Sequence, residues 1–196
     1  MRAGERAPLQ HGRLDVWHKP DEEEVVNRLK VFACLFSFAL LFVCAGTAQA
    51  AKISGTISTT LTITEDSQLV GDVTCTVSGA ACVAIGAPNV TLDLNTFTVT
   101  GQADPATACG GGGANGSESA IVVSKQTSVT IHGPGIIQQF RGFGIALSSA
   151  IGTTVTGVTM STNCFSGIIV IGGSLNELTK NISIRNGNLN APCGGI

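Results

Sequence analysis

A short step recurs along the second half of the chain: Ala120-Ile-Val-Val123, Gly144-Ile-Ala-Leu147, Gly167-Ile-Ile-Val170, and Gly195-Ile196 at the end. Its intervals of roughly 20–30 residues are the signature of a solenoid, in which one unit cannot bury its apolar face alone and stacks on its neighbours. Between the steps, Val129 and Ile131, then Val155, Val158 and Met160, then Ile182 and Ile184, stand among Ser, Thr and Asn as the expected inward residues. Alternation with a period of two is the strand signal, and no window after Ala51 carries a helical stripe. Short strands that repeat the same inward residues suit a coil of parallel strands, each inward Ile lying over the Ile of the previous turn at roughly 4.8 Å. Every such Ile, Val or Leu contributes about 1.5–3 kcal/mol on burial. An antiparallel sandwich also yields short alternating strands. It does not require like residues at like places in every repeat. The run Ile168-Ile-Val-Ile171 breaks the alternation and would turn Ile169 and Ile171 outward.

The N-terminal part reads differently. Residues 1–27 are charged and without pattern, and carry Trp17, His11, His18 and the run Asp21-Glu-Glu-Glu24. Arg28 and Lys30 then precede an apolar run over residues 31–46, and Ala48-Gln-Ala50 is a small-x-small cleavage motif. Residues 28–50 therefore form a secretory signal peptide, cut between Ala50 and Ala51. The run is shorter than the roughly 20 residues a bilayer span needs, so no membrane span is expected after cleavage. A signal peptide begins near the start of a protein, so residues 1–27 are expected to be a mis-set start; the alternative is a cytoplasmic tail on an anchor helix. The mature protein is expected to be secreted or periplasmic, in a bacterium.

After Ala51 the ionisable residues are sparse: Lys52, Lys125, Arg141, Lys180 and Arg185 against Glu65, Asp66, Asp72, Asp93, Asp104, Glu118 and Glu177. No basic stripe exists, and nucleic acid, which clustered Lys and Arg recognise, is not an expected partner. Outward Ser, Thr and Asn can instead meet sugar hydroxyls. Cys75 and Cys82 flank a Ser-Gly-Ala-Ala turn, and in an exported chain they read as a local disulfide. Cys164-Phe-Ser-Gly-Ile168 and Cys193-Gly-Gly-Ile196 occupy like places in successive turns. Strand stacking brings such positions within disulfide range, so a Cys164–Cys193 bridge is expected, leaving Cys109 to another pairing or to a partner beyond Ile196.

Alternation is plain from Ile53 to Val77, and residues 51–89 are expected to close the N-terminal end as a β cap. The cleanest strand–turn–strand follows: Val90-Thr-Leu-Asp-Leu-Asn95, then Phe97-Thr-Val-Thr-Gly101. With Ile131-His-Gly-Pro-Gly135 and the Gly-Ile steps, this segment resembles the secreted right-handed parallel β-helix proteins of the pectin-lyase-like superfamily, including its NosD-related group. Thr96 stands where that pattern has Gly. The resemblance runs from about Ile53 to Ile196. It implies an all-β fold, a single-stranded right-handed parallel β-helix of about four to five coils, with residues 90–196 as its repeats. Because the chain stops inside another Gly-Ile step, truncation at the C-terminus is expected.

No catalytic constellation emerges. The run Gly110-Gly-Gly-Gly113 lacks the Lys-Ser/Thr and helix of a phosphate loop, and reads as a loop leaving the solenoid. In β-helix proteins such loops often build the ligand groove. His132, the one His after Ala51, is expected to point outward at a corner set by Gly133-Pro134-Gly135, without the partner that a base or a metal ligand requires. Asp93 and Asp104 could pair as acids, but glycoside hydrolysis wants two carboxylates at about 5–9.5 Å and calcium wants six to eight oxygens. They read as turn caps. No catalytic residue, metal site or cofactor is expected. The function expected is a secreted scaffold or binding module for carbohydrate, a polysaccharide or cell-surface glycan, using polar ladders on a sheet face. The resemblance implies two alternatives: a polysaccharide lyase or glycoside hydrolase whose active site is lost or lies beyond the C-terminus, and a NosD-like periplasmic metal-associated protein.

Overall fold

The structure, a computed structural model, describes residues 49–103, 109 and 115–187. Residues 1–48, which include the expected N-terminal extension and most of the expected signal peptide, and also Asp104, the glycine run, Cys193 and Gly195-Ile196 lie outside the described residues. Those described hold strands and turns and no helix. In chain order the strands are β1 (Ala51–Ile57), β2 (Leu61–Ile63), β3 (Ser67–Cys75), β4 (Val83–Ile85), β5 (Thr91–Asp93), β6 (Thr98–Thr100), β7 (Ile121–Ser124), β8 (Thr130–Gln138), β9 (Ile145–Ser148), β10 (Thr154–Ser161), β11 (Ile168–Ile171), β12 (Glu177–Thr179) and β13 (Ile182–Ile184).

They form two sheets, and the chain passes from one to the other at every turn. The first is eight-stranded, with the order β1-β3-β5-β8-β10-β12, β6 lying between β3 and β8 and β13 pairing β10; the second runs β11-β9-β7-β4-β2. All pairings are parallel. A chain that alternates between two parallel sheets has a solenoid-like course, the one the repeat predicts.

The first sheet is bent along its middle. Register shifts fall between Ile53 and Gly55 and between Thr156 and Val158, and β5 and β6 are separate where β8 runs through. The bend of β8 lies at the cis Gly133–Pro134 peptide, against Gly157 with φ 72°. A Cβ on Gly133 would strike the Gly157 carbonyl, so only Gly allows the two turns this approach.

Like residues stack inside. One interior column is Leu61, Val83, Ile121, Ile145 and Ile168; another is Ile63, Ile85, Val123, Leu147 and Val170. From the first sheet come Leu92, Ile131, Val155 and Leu178, and Val73, Val99, Ile137 and Met160. Most are fully buried and belong to one apolar core.

Three placements differ from, or refine, the sequence expectation. Residues 51–89 end both sheets, as a cap would, yet they do so with β1 to β4, strands of the solenoid itself. Ile182 and Ile184, expected inward, are 52% and 46% exposed, because Met160 pairs with Ser183 and turns the flanking isoleucines out. Asn181 holds that register: its Oδ1 accepts from the Val158 N–H at 3.0 Å and its amide donates to the Val155 carbonyl at 2.8 Å. A one-residue slip reverses the faces of a strand. Ile171 is exposed as expected. Val170 lies in an interior column yet is 45% exposed, since β11 is the last strand of its sheet among the described residues.

Candidate ligand-binding face

Because side chains alternate along a strand, the residues between the core positions of the first sheet share its outer face. In-register pairing sorts them into rows. One row is Lys52, Gln68, Asp93, His132, Thr156 and Thr179. The neighbouring row is Thr91, Thr130, Thr154 and Glu177. Every member is polar, and none is buried. Adjacent members stand one strand apart, roughly 4.8 Å.

At the middle of the first row His132 and Asp93 meet. Nδ1 and Oδ1 lie 3.6 Å apart, and the side chains are 53% and 39% exposed. His132 points outward as expected. The partner carboxylate, which the sequence reading denies it, comes from the neighbouring turn. Asp93 is also the expected turn cap: its Oδ1 accepts from the Asn95 N–H at 2.8 Å. Asp66 and Asp72 act alike, accepting from the Thr91 and Thr98 N–H groups at 2.7 and 2.8 Å. Farther along the row the Thr179 hydroxyl donates to Thr156 Oγ1 at 3.1 Å. The pairing of Asp93 with His132 is hidden in sequence by the excursion between β6 and β7, which makes that turn longer than its neighbours.

A second concentration of chemistry lies at the corner that leads into the second sheet. Arg141 Nε donates to Glu118 Oε2 at 2.5 Å and Nη2 to Oε1 at 2.6 Å; the Gly79 N–H and the Asn115 amide donate to Oε1 at 2.7 and 3.2 Å. Burial pushes the Glu118 carboxyl up, but the Gly79 N–H, the Arg141 guanidinium and Asn115 outweigh it and hold it below the ordinary carboxylate range. Phe143 and Phe165 stack on successive turns, their centroids 5.0 Å apart and their ring edges next to Gly116.

Both disulfides belong to this corner. Cys75 and Cys82 are joined as expected, with Cα atoms 6.0 Å apart. Cys164 bonds to Cys109, with Cα atoms 5.2 Å apart. This corrects the expected Cys164–Cys193 bridge. A sulfur makes one disulfide, and Cys109, in the long segment between β6 and β7, takes the buried Cys164; Cys193 lies outside the described residues.

Asparagines lace the turns together, a device the sequence reading missed. Asn163, Asn176, Asn181 and Asn186 each accept from an N–H 23 residues earlier, namely those of Phe140, Thr153, Val158 and Asn163. Each amide also donates to a carbonyl 26 residues earlier, that of Ile137, Ala150, Val155 or Met160. The shared interval of Asn163 and Asn186 with the Gly-Ile step was the available signal. These groups are committed to the scaffold. Among the described residues no cluster of three or more His, Cys, Asp or Glu could hold a metal, and no helix is long and apolar enough to cross a membrane.

Set against protein-family models, curated proteins and solved structures, the chain matches none of them.

Proposed function

We propose that this protein is a carbohydrate-binding module of an exported right-handed parallel β-helix, related to the pectin-lyase-like superfamily, and that the outer face of its first sheet is the binding surface. The observation that carries this reading is the pair of solvent-accessible all-polar rows, the first with Asp93 and His132 at its middle. Hydroxyl, amide, carboxylate and imidazole groups at regular spacing offer both donors and acceptors to a polyol. A rigid sheet presents them with little ordering cost on binding. The right hand follows the general rule for parallel crossovers. Two disulfides support an oxidising compartment outside the cytoplasm.

The test is binding of the folded protein to a panel of soluble and insoluble polysaccharides. Thr130→Val and Thr154→Val keep the β-branched shape and remove one hydroxyl each. Each is expected to weaken binding by about 0.5–1.5 kcal/mol while leaving the melting temperature within a few degrees. Retention of no polysaccharide by the wild-type protein overturns the proposal.

A further inference from the structure

Resting on that reading of the face, we infer that its ligand is a neutral, extended polysaccharide, lying across the strands with one sugar per turn of the solenoid. Two observations carry the inference, one of charge and one of spacing.

A polyuronate places a carboxylate on every sugar and calls for a cation at every step. The face does not supply one. Lys52 is its permanent cation and stands on the edge strand β1; Glu177 stands on β12, at the far edge of the sheet. His132, between them, already faces Asp93 at 3.6 Å. Between β5 and β12 the remaining members are Thr91, Thr130, Thr154, Thr156 and Thr179, all uncharged hydroxyls. A polycation fares no better, because the Asp66 and Asp93 carboxylates already cap the backbone N–H groups of Thr91 and Asn95. Hydroxyl-to-hydroxyl recognition is what remains, and its partner is uncharged.

Spacing selects the shape. Thr91, Thr130 and Thr154 recur one strand apart, roughly 4.8 Å, and Asp93, His132 and Thr156 of the first row repeat the same step beside them. A pyranose chain joined through equatorial bonds, as in β-1,4-linked glucans, xylans and mannans, advances about that far per sugar. Successive sugars of such a chain are turned over, so each sits over one strand's pair of side chains and the same edge of the sugar returns at every second strand. A coiled α-linked chain leaves the plane of the rows after one or two sugars.

The experiment measures the affinity of the purified disulfide-intact protein for cello-, xylo- and manno-oligosaccharides of increasing length, with oligogalacturonates, chitosan oligomers and malto-oligosaccharides as comparators. The expected result is binding to at least one neutral β-1,4 series, stronger with each added sugar until the chain spans β1 to β12. That affinity should be insensitive to salt, and about tenfold weaker in the double variant Thr130→Val/Thr154→Val. Equal or tighter binding of oligogalacturonates, chitosan or malto-oligosaccharides overturns the inference and leaves carbohydrate binding standing. So does neutral binding that the double variant leaves unchanged, since the sugar then sits elsewhere. Failure to bind any oligosaccharide or polysaccharide overturns the proposed function itself.

Discussion

Thr96 is a β-branched residue at φ 71°, next to Asn95 at φ 45°. The left-handed region costs such a residue roughly 1–2 kcal/mol, and the chain accepts it because the Thr96 N–H donates to the Pro134 carbonyl at 2.6 Å, locking the turn after β5 to β8. A Gly at this place would adopt the same backbone angle without that cost. Thr96→Gly keeps the N–H and removes the steric penalty, so it is expected to raise unfolding stability by about 1 kcal/mol in urea denaturation. Glu118 gives the second test at this scale. Its carboxyl titrates lower in the folded protein than in the unfolded chain, so the unfolded state binds the extra proton. The stabilisation is therefore complete above the unfolded value of about 4.3 and is lost as pH falls through the folded one. Melting temperature should drop steeply below about pH 4, and the drop should be shallower in Glu118→Gln, which starts from a lower plateau.

Strand β13 shows how an element can satisfy the pattern of its family of repeats and still face the other way. Ile182-Ser-Ile184 has the alternation of an inward-facing strand, and reads as one in isolation. What decides is the asparagine before it. Asn181 bonds to both the N–H of Val158 and the carbonyl of Val155, and Asn186 donates to Ser183 Oγ at 2.9 Å, so the strand is pinned at both ends with Ser183 over Met160. Those bonds from Asn181 reach the backbone of β10 and are themselves half-buried, so giving them up to turn the strand over would leave the Val158 N–H and the Val155 carbonyl unpaired. The double variant Ile182→Thr/Ile184→Thr should accordingly change stability by no more than about 0.5 kcal/mol per site, whereas Ile137→Ala, in the column beneath, should cost about 2–5 kcal/mol. Comparable losses at both places, read by chemical denaturation, would refute the register. The asparagine interval was legible beside the Gly-Ile interval. Its role was not, because an Asn in a polar stretch reads equally well as a hydrated surface group.

At the scale of the molecule, stability is spread over nearest-neighbour turns, and the Cys109–Cys164 bridge is an exception, closing a segment with a sequence separation of 55. Constraining so long a loop stabilises by about 3–4 kcal/mol in the chain-entropy account. Cys109→Ser/Cys164→Ser should therefore lose about twice the stability that Cys75→Ser/Cys82→Ser loses, the latter having a separation of 7 and a loop already held by the Glu118 carboxylate through the Gly79 N–H. Equal losses, measured by thermal melting under oxidising conditions, would show that the long excursion is held by other contacts. By itself the sequence determined that strands recur at a near-constant interval, that like apolar residues stack, and that charge is too sparse for nucleic acid, since these depend on periodicity and composition alone. Only the tertiary structure decided that Asp93 meets His132, that Cys164 takes Cys109, and that Ser183 rather than its neighbours turns inward. Each of these depends on register between turns of unequal length, and register is fixed by hydrogen bonds across the turns that no local pattern encodes.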